Sequence, residues 1–157
     1  MSEAPLPTTG PEIWFYQLER SSLEQVLPEL LGRTLQRGWR ALVRIADAGR
    51  MAEIDERLWT FRDEAFLAHG RADGPDAERQ PIVLTQGTEN PNGARALFII
   101  DGSEMGSTEG YERCFVLFDG RDETALHGAR ERWKALKGKG LALSYWQQTD
   151  EGWRKAA

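Results

Sequence analysis

The run Ile13 to Ile45, IWFYQLERSSLEQVLPELLGRTLQRGWRALVRI, decides the fold. It opens on IWFYQL, a short apolar and aromatic block that reads as a strand, and it closes on ALVRI, a second one. Between them the apolar residues change period. Leu23, Val26, Leu27, Leu30, Leu31, Thr34 and Leu35 recur at steps of three and four, which gathers them on one helix face. Ser21 and Glu24 offer a capping box at the helix start, and Gly38 offers a stop. Pro28 falls inside the pattern and removes a backbone donor, so a kink or a later start is expected there.

Downstream the alternation continues. Asp47 is a fair cap for a second helix whose inner face carries Ile54 and Leu58. After Trp59 the chain reads as irregular until Pro81–Leu84 resumes a short strand, and GTENPNG (87–93) is turn chemistry. The runs ALFII (96–100) and RCFVLF (113–118) are continuously hydrophobic, which points to central strands buried on both faces. LALSYWQQ (141–148) reads as a final strand. This succession predicts a layered α/β architecture in one domain over residues 13–149, with flexible tails at 1–12 and 150–157.

Between the last two strands lies TALHGARERWKALKGK, Thr124 to Lys139, a helix with two chemically different faces. Leu126, Ala129, Trp133 and Leu136 form an apolar stripe. Arg130, Lys134 and Lys137 form a basic one beside it. Such a stripe serves solubility in many helices; with an indole next to it, it also suits a docking face for something acidic.

Composition narrows the function classes. A formal net charge of −5 argues against wholesale wrapping by nucleic acid, though it leaves local basic patches open. No run approaches the ~20 apolar residues of a membrane span, and the N-terminus lacks the pattern of a signal peptide, so a cytoplasmic location is expected. A lone cysteine, Cys114, excludes an intrachain disulfide and a Cys-based zinc site, and it reads as a buried thiol. No metal or cofactor is expected. GSEMGSTEG (102–110) has glycines and hydroxyls but no GxxxxGK[ST] pattern, and its glutamates oppose phosphate; it reads as a mobile surface loop. GxSxG is absent, and His69 reads as a hydrogen-bonded structural histidine. No catalytic residue emerges. Trp59 and Phe66, seven residues apart in a charged segment, compose a candidate protein-binding patch or, equally well on residues alone, plug the edge of the core.

Several of these stretches together resemble the chi subunit family of bacterial DNA polymerase III, from Trp14 to about Trp146. The resemblance rests on the aromatic first strand, on GWRALVRI, and on IDERLWTFRDEAFLAHG with its paired D-x-x-L-W and F-L-x-H-G segments. It rests as well on ARERWK before a final aromatic strand. It implies a three-layer, Rossmann-like, mostly parallel sheet flanked by helices and lacking a phosphate-binding loop. It also implies a non-catalytic replication subunit acting at forks in the cytoplasm. Such a subunit bridges the clamp loader to the acidic C-terminal tail of single-stranded-DNA-binding protein, and through it, indirectly, to single-stranded DNA. On this resemblance Arg130 matches the arginine that contacts the tail's terminal carboxylate, Trp133 an aromatic beside the pocket, and Lys134 a flanking cation. Charge geometry adds Lys137. Leu126 stands where some relatives carry a basic residue. Trp59 and Phe66 match aromatics that face the psi subunit or, in some members, a helicase. A repair-associated adaptor docking a helicase through that surface is therefore the alternative reading.

Overall fold

The computed structural model describes residues 11–60 and 67–157. Eight strands form one sheet in the order β3-β4-β2-β5-β6-β1-β7-β8. They are β1 (Glu12–Leu18), β2 (Ala41–Ile45), β3 (His69–Arg71), β4 (Ile82–Thr85), β5 (Ala96–Ile100), β6 (Arg113–Asp119), β7 (Leu143–Thr149) and β8 (Gly152–Lys155). Helices α1 (Leu23–Gln36), α2 (Ala48–Thr60) and α3 (Glu123–Gly138) flank it. Every pairing is parallel except β7 with β8. The result is a three-layer α/β fold with a mostly parallel sheet.

Alternation along the strands sorts the core into two layers. On one face Tyr16, Leu18, Val43, Phe98, Phe115 and Leu117 pack under Leu27, Leu30 and Leu31 of α1 and Met51, Ile54 and Leu58 of α2. On the other, Phe15, Leu97, Ile99, Cys114, Val116 and Phe118 pack under Ala129 and Leu136 of α3. The continuously apolar β5 and β6 are central and closed in from both sides, as their composition required.

Two expectations about α1 need correction. The α1 cap sits one residue later than the Ser21–Glu24 reading. Ser22 is the N-cap, and the Gln25 side chain reaches back to accept from the Ser22 backbone N–H at 2.9 Å. Ser21 is occupied elsewhere: its hydroxyl accepts from Nε2 of Gln148 at 2.9 Å. Pro28 neither starts nor stops α1, which runs through it. A proline there leaves the Glu24 carbonyl without its usual helical donor, and Arg57 of α2 supplies one, Nε to the Glu24 carbonyl at 3.1 Å. Gly38 ends the helix as expected, at φ +86°. Its N–H donates to the Leu35 carbonyl and that of Trp39 to the Thr34 carbonyl, the paired bonds of a Schellman stop.

The segment read as irregular contains β3, parallel to β4, and a 3₁₀ turn at Ala77–Arg79. The stretch from Asp150 onward, read as frayed, turns back as β8 and covers the free edge of β7, with Trp153 against Tyr16 at 4.9 Å between ring centroids. The 102–110 loop, read as a mobile surface loop, is tethered. Arg44, 2% exposed on β2, donates to the carbonyls of Met105 and of Thr88, the latter at 2.7 Å. Ser103 is buried and accepts from the backbone of Ala46, and its carbonyl accepts from Arg132 at 2.8 Å. Gly106 sits at φ +65° where a Cβ would come within 3.2 Å of the Arg44 guanidinium, so glycine is what lets the loop close over it.

Candidate functional site

Helix α3 starts where Asp122 accepts from the backbone N–H groups of Thr124 and Ala125, which fixes the rotation of every side chain after it. Ala129 and Leu136 face the sheet. Trp133, on the same stripe, is half-buried and packs edge-on against Phe15 at 5.2 Å and Tyr145 at 5.6 Å. Those two partners are paired residues on neighbouring strands, Phe15 of β1 opposite Tyr145 of β7.

Beside this cluster lies a cleft of about 420 Å³. Trp133 and Tyr145 provide apolar surface, Arg130 and Lys134 flank it from the helix, and Gln17, Gln147 and Ala157 close it from the sheet. Tyr145 donates to the side-chain amide oxygen of Gln17, and that of Gln147 accepts from Arg154 at 3.1 Å. Burial raises the Tyr145 phenol above its ordinary range, partly opposed by Arg130 and reinforced by Glu19. The phenol is therefore a neutral donor at physiological pH. Arg130 is exposed, and among the described residues no ion pair or hydrogen bond engages its guanidinium. Lys134 makes only an exposed pair with Glu131 at 3.6 Å, which is worth little. The site thus offers an uncommitted planar donor fork, a second cation and an indole, arranged around a hole.

The structure gathers Arg130, Trp133 and Lys134 there and leaves two expected residues outside. Lys137 is exposed on the same basic stripe beyond the cleft lining. Leu126 is half-buried and packs against the sheet under α3, away from the cleft. Sequence reading missed Gln17, Tyr145 and Gln147, which belong to strands. The one available signal was polar glutamine inside otherwise aromatic strand runs.

A second cavity, about 560 Å³, opens at the C-terminal ends of β5 and β6 next to the start of α3, where open α/β sheets usually hold ligands. Asp101, Asp119 and Asp122 line it, and Arg50 is already paired with Glu24, Glu53 and Asp101. That charge opposes a phosphate. Asp119 is held ionised, below its ordinary carboxylate range, by hydrogen bonds from the Arg121 side chain and backbone. Among the described residues no group of three or more His, Cys, Asp or Glu could hold a metal, and no helix is long and apolar enough to cross a membrane.

Trp59, near the end of α2, is 52% exposed, the one large apolar side chain so exposed among the described residues. Its ring sits 4.2 Å from that of His69. His69 is buried and hydrogen-bonded at both nitrogens, to Asp55 at 2.7 Å and to the Leu67 carbonyl at 2.8 Å. Its role is structural, as its apolar sequence setting indicated. Phe66 lies outside the described residues.

A protein-family model described as DNA polymerase III chi subunit, HolC, matches residues 11–144. Two similar proteins carry the same name. A DNA polymerase III subunit chi of Pseudomonas aeruginosa is 39% identical over 75 residues, which are 48% of this chain and 51% of that protein. A probable DNA polymerase III subunit chi of Rickettsia prowazekii is 23% identical over 90 residues, 57% of this chain and 54% of that protein. The chain spans about half the length of the curated relatives it matches. The family match covers every element from β1 through α3, including the arginine and indole of the cleft, and this chain belongs to the DNA polymerase III chi subunit family.

Proposed function

We propose that this chain is a non-catalytic accessory subunit of the DNA polymerase III holoenzyme, acting at replication forks in the cytoplasm. Its cleft beside α3 holds the acidic C-terminal tail of single-stranded-DNA-binding protein, tying that protein to the clamp loader. The observation that carries this reading is the cleft itself. An arginine free of internal partners among the described residues stands next to a half-buried indole, and a terminal aromatic residue with its carboxylate needs both. A guanidinium fork matches a carboxylate in two parallel hydrogen bonds, and the ring fills apolar space against Trp133 and Tyr145. Lys134 and, farther along, Lys137 supply charge for the upstream acids. A peptide of this size implies micromolar affinity, about −8 kcal/mol, weakened by salt.

The test is calorimetric titration of a synthetic tail peptide. Arg130→Ala should weaken binding by roughly 10- to 100-fold, the size of a lost charge-assisted pair. Unchanged affinity would remove the assigned pocket. A second reading rests on the exposure of Trp59: a clamp-loader psi subunit or a helicase docks there. Capture of partner from lysate should fall with Trp59→Ala and stay with Arg130→Ala if the two surfaces are separate.

A further inference from the structure

On the opposite face of β1 from the cleft, and at the other end of the strand, a third cavity of about 260 Å³ is built from arginines and aromatic rings. Arg33 reaches it from the last turn of α1 and Arg37 from the C-cap just beyond, while Arg113 reaches it from the first residue of β6. The rings are Trp14, Tyr16, Trp39 and Phe115. Guanidinium groups lie over the two indoles: Arg113 over Trp14 at 4.0 Å and over Trp39 at 5.6 Å, and Arg37 over Trp39 at 4.9 Å.

Among the described residues the charge here is not balanced: Arg113 meets a single carboxylate, Glu12, at 3.5 Å, and that carboxylate also accepts from the Trp14 indole. Its Nε is shielded from solvent and has no hydrogen-bond partner among the described residues. Arg33, in the last turn of α1, and Arg37, its C-cap, are four apart, a spacing at which like charges repel. Glu29, one turn before Arg33, has interactions of its own. Burial depresses the Arg113 guanidinium from its ordinary range, and the nearby Arg37 depresses it further. Three cations crowding one patch of a chain with net charge −5 is an arrangement that an external anion relieves.

The aromatic surface continues along the sheet. Trp146 of β7 lies 5.6 Å from Trp14, and Lys155 of β8 is paired with Trp146 in the strand register. Backbone groups of β1 are committed to ladders with β6 and β7 on both sides. A peptide therefore has no open strand edge to pair with at this place, and what remains is stacking on rings and charge attraction. Those are the two interactions by which proteins hold unpaired nucleic acid, whose bases offer π-faces and whose phosphates track cations.

We propose that the Arg33–Arg37–Arg113 and Trp14–Trp39 patch binds single-stranded nucleic acid directly, independently of the cleft beside α3. A duplex hides its base faces and should bind less well.

The experiment is fluorescence anisotropy of labelled oligothymidylate and oligouridylate of about 15 nucleotides with the full chain, over a salt series beginning near 50 mM. A self-complementary duplex of the same length is the comparison. Binding of either single strand, stronger than the duplex and falling with salt, is expected; which sugar is preferred identifies the source of the strand. Arg33→Glu with Arg37→Glu, both exposed, should weaken binding at least about tenfold and reduce the log–log salt slope by roughly 1.4, about 0.7 for each phosphate no longer neutralised. Trp39→Phe should retain binding and Trp39→Ala should lose most of it. Arg130→Ala should leave it unchanged, and undiminished tail-peptide binding by the charge-reversed chain reports that its fold is intact. No anisotropy change at low salt, equal binding by the charge-reversed chain, or displacement of tail peptide by the oligonucleotide from the α3 cleft would each overturn the proposal. So would an acidic peptide that binds this patch where the oligonucleotides do not.

Discussion

A guanidinium without a partner among the described residues and an indole with a free side are the two groups on which the proposed tail site turns. Trp133 has a structural duty as well, since its ring packs on Phe15 and Tyr145. Trp133→Ala should cost roughly 3 kcal/mol of stability in urea unfolding and abolish tail binding, whereas Trp133→Phe should lose less of each. Arg130→Ala should leave the unfolding free energy from urea titration within about 0.5 kcal/mol of wild type, because among the described residues its guanidinium ties down nothing in the native fold. Cys114 shows the opposite kind of residue. It is fully buried, and burial pushes its thiol up to about 12, so the folded protein should resist a thiol reagent at pH 8 and react only on unfolding. Rapid labelling of native protein would contradict that placement. The helical residues of the cleft were legible because Arg130, Trp133 and Lys134 follow a period of 3.6. Gln17, Tyr145 and Gln147 were not, because only the parallel pairing of β1 with β7 brings them together, and pairing leaves no trace in either strand alone.

Among the elements, β8 and the 102–110 loop were hidden for different reasons. GWRK is short and charged, and it becomes a strand only because β7 presents an unpaired edge. The loop looked mobile because its glycines and hydroxyls are local cues, while the anchors come from afar, from Arg44 of β2 and Arg132 of α3. Removing residues 150–157 should lower stability and expose β7, seen as concentration-dependent association in sedimentation; a monomer of unchanged stability would show that β8 contributes nothing to the sheet. Arg44→Met should cost about 3 kcal/mol, since the Met105 and Thr88 carbonyls lose a buried donor. Faster amide exchange should follow across residues 101–110, with the β5–β6 ladder still protected. The strong elements were readable at once: β5 and β6 by their two-sided hydrophobicity, α1 and α2 by their stripes.

For the whole molecule, net charge −5 coexists with two basic patches on opposite faces of β1, one at α3 and one at the end of α1. The buried core also sets an alkaline limit. Folding raises Cys114 from 9.0 to about 12 and Tyr16 from 10.0 to about 12, both through burial. Below about pH 9 both groups keep their protons whether the chain is folded or not, so they add no pH dependence there. Above it the unfolded chain releases protons that the native one retains. Stability should then fall with rising pH, by up to about 1.4 kcal/mol per unit for each group. Urea midpoints measured from pH 8 to 11 check this, and Cys114→Ala should flatten the first part of the decline. The central claim remains that one guanidinium receives one terminal carboxylate. The direct measurement is a calorimetric double cycle, wild type and Arg130→Ala against a tail peptide with a free or an amidated C-terminus. A coupling of about 1.5–3 kcal/mol is expected between the arginine and the carboxylate; losses that simply add, with no coupling, would contradict it.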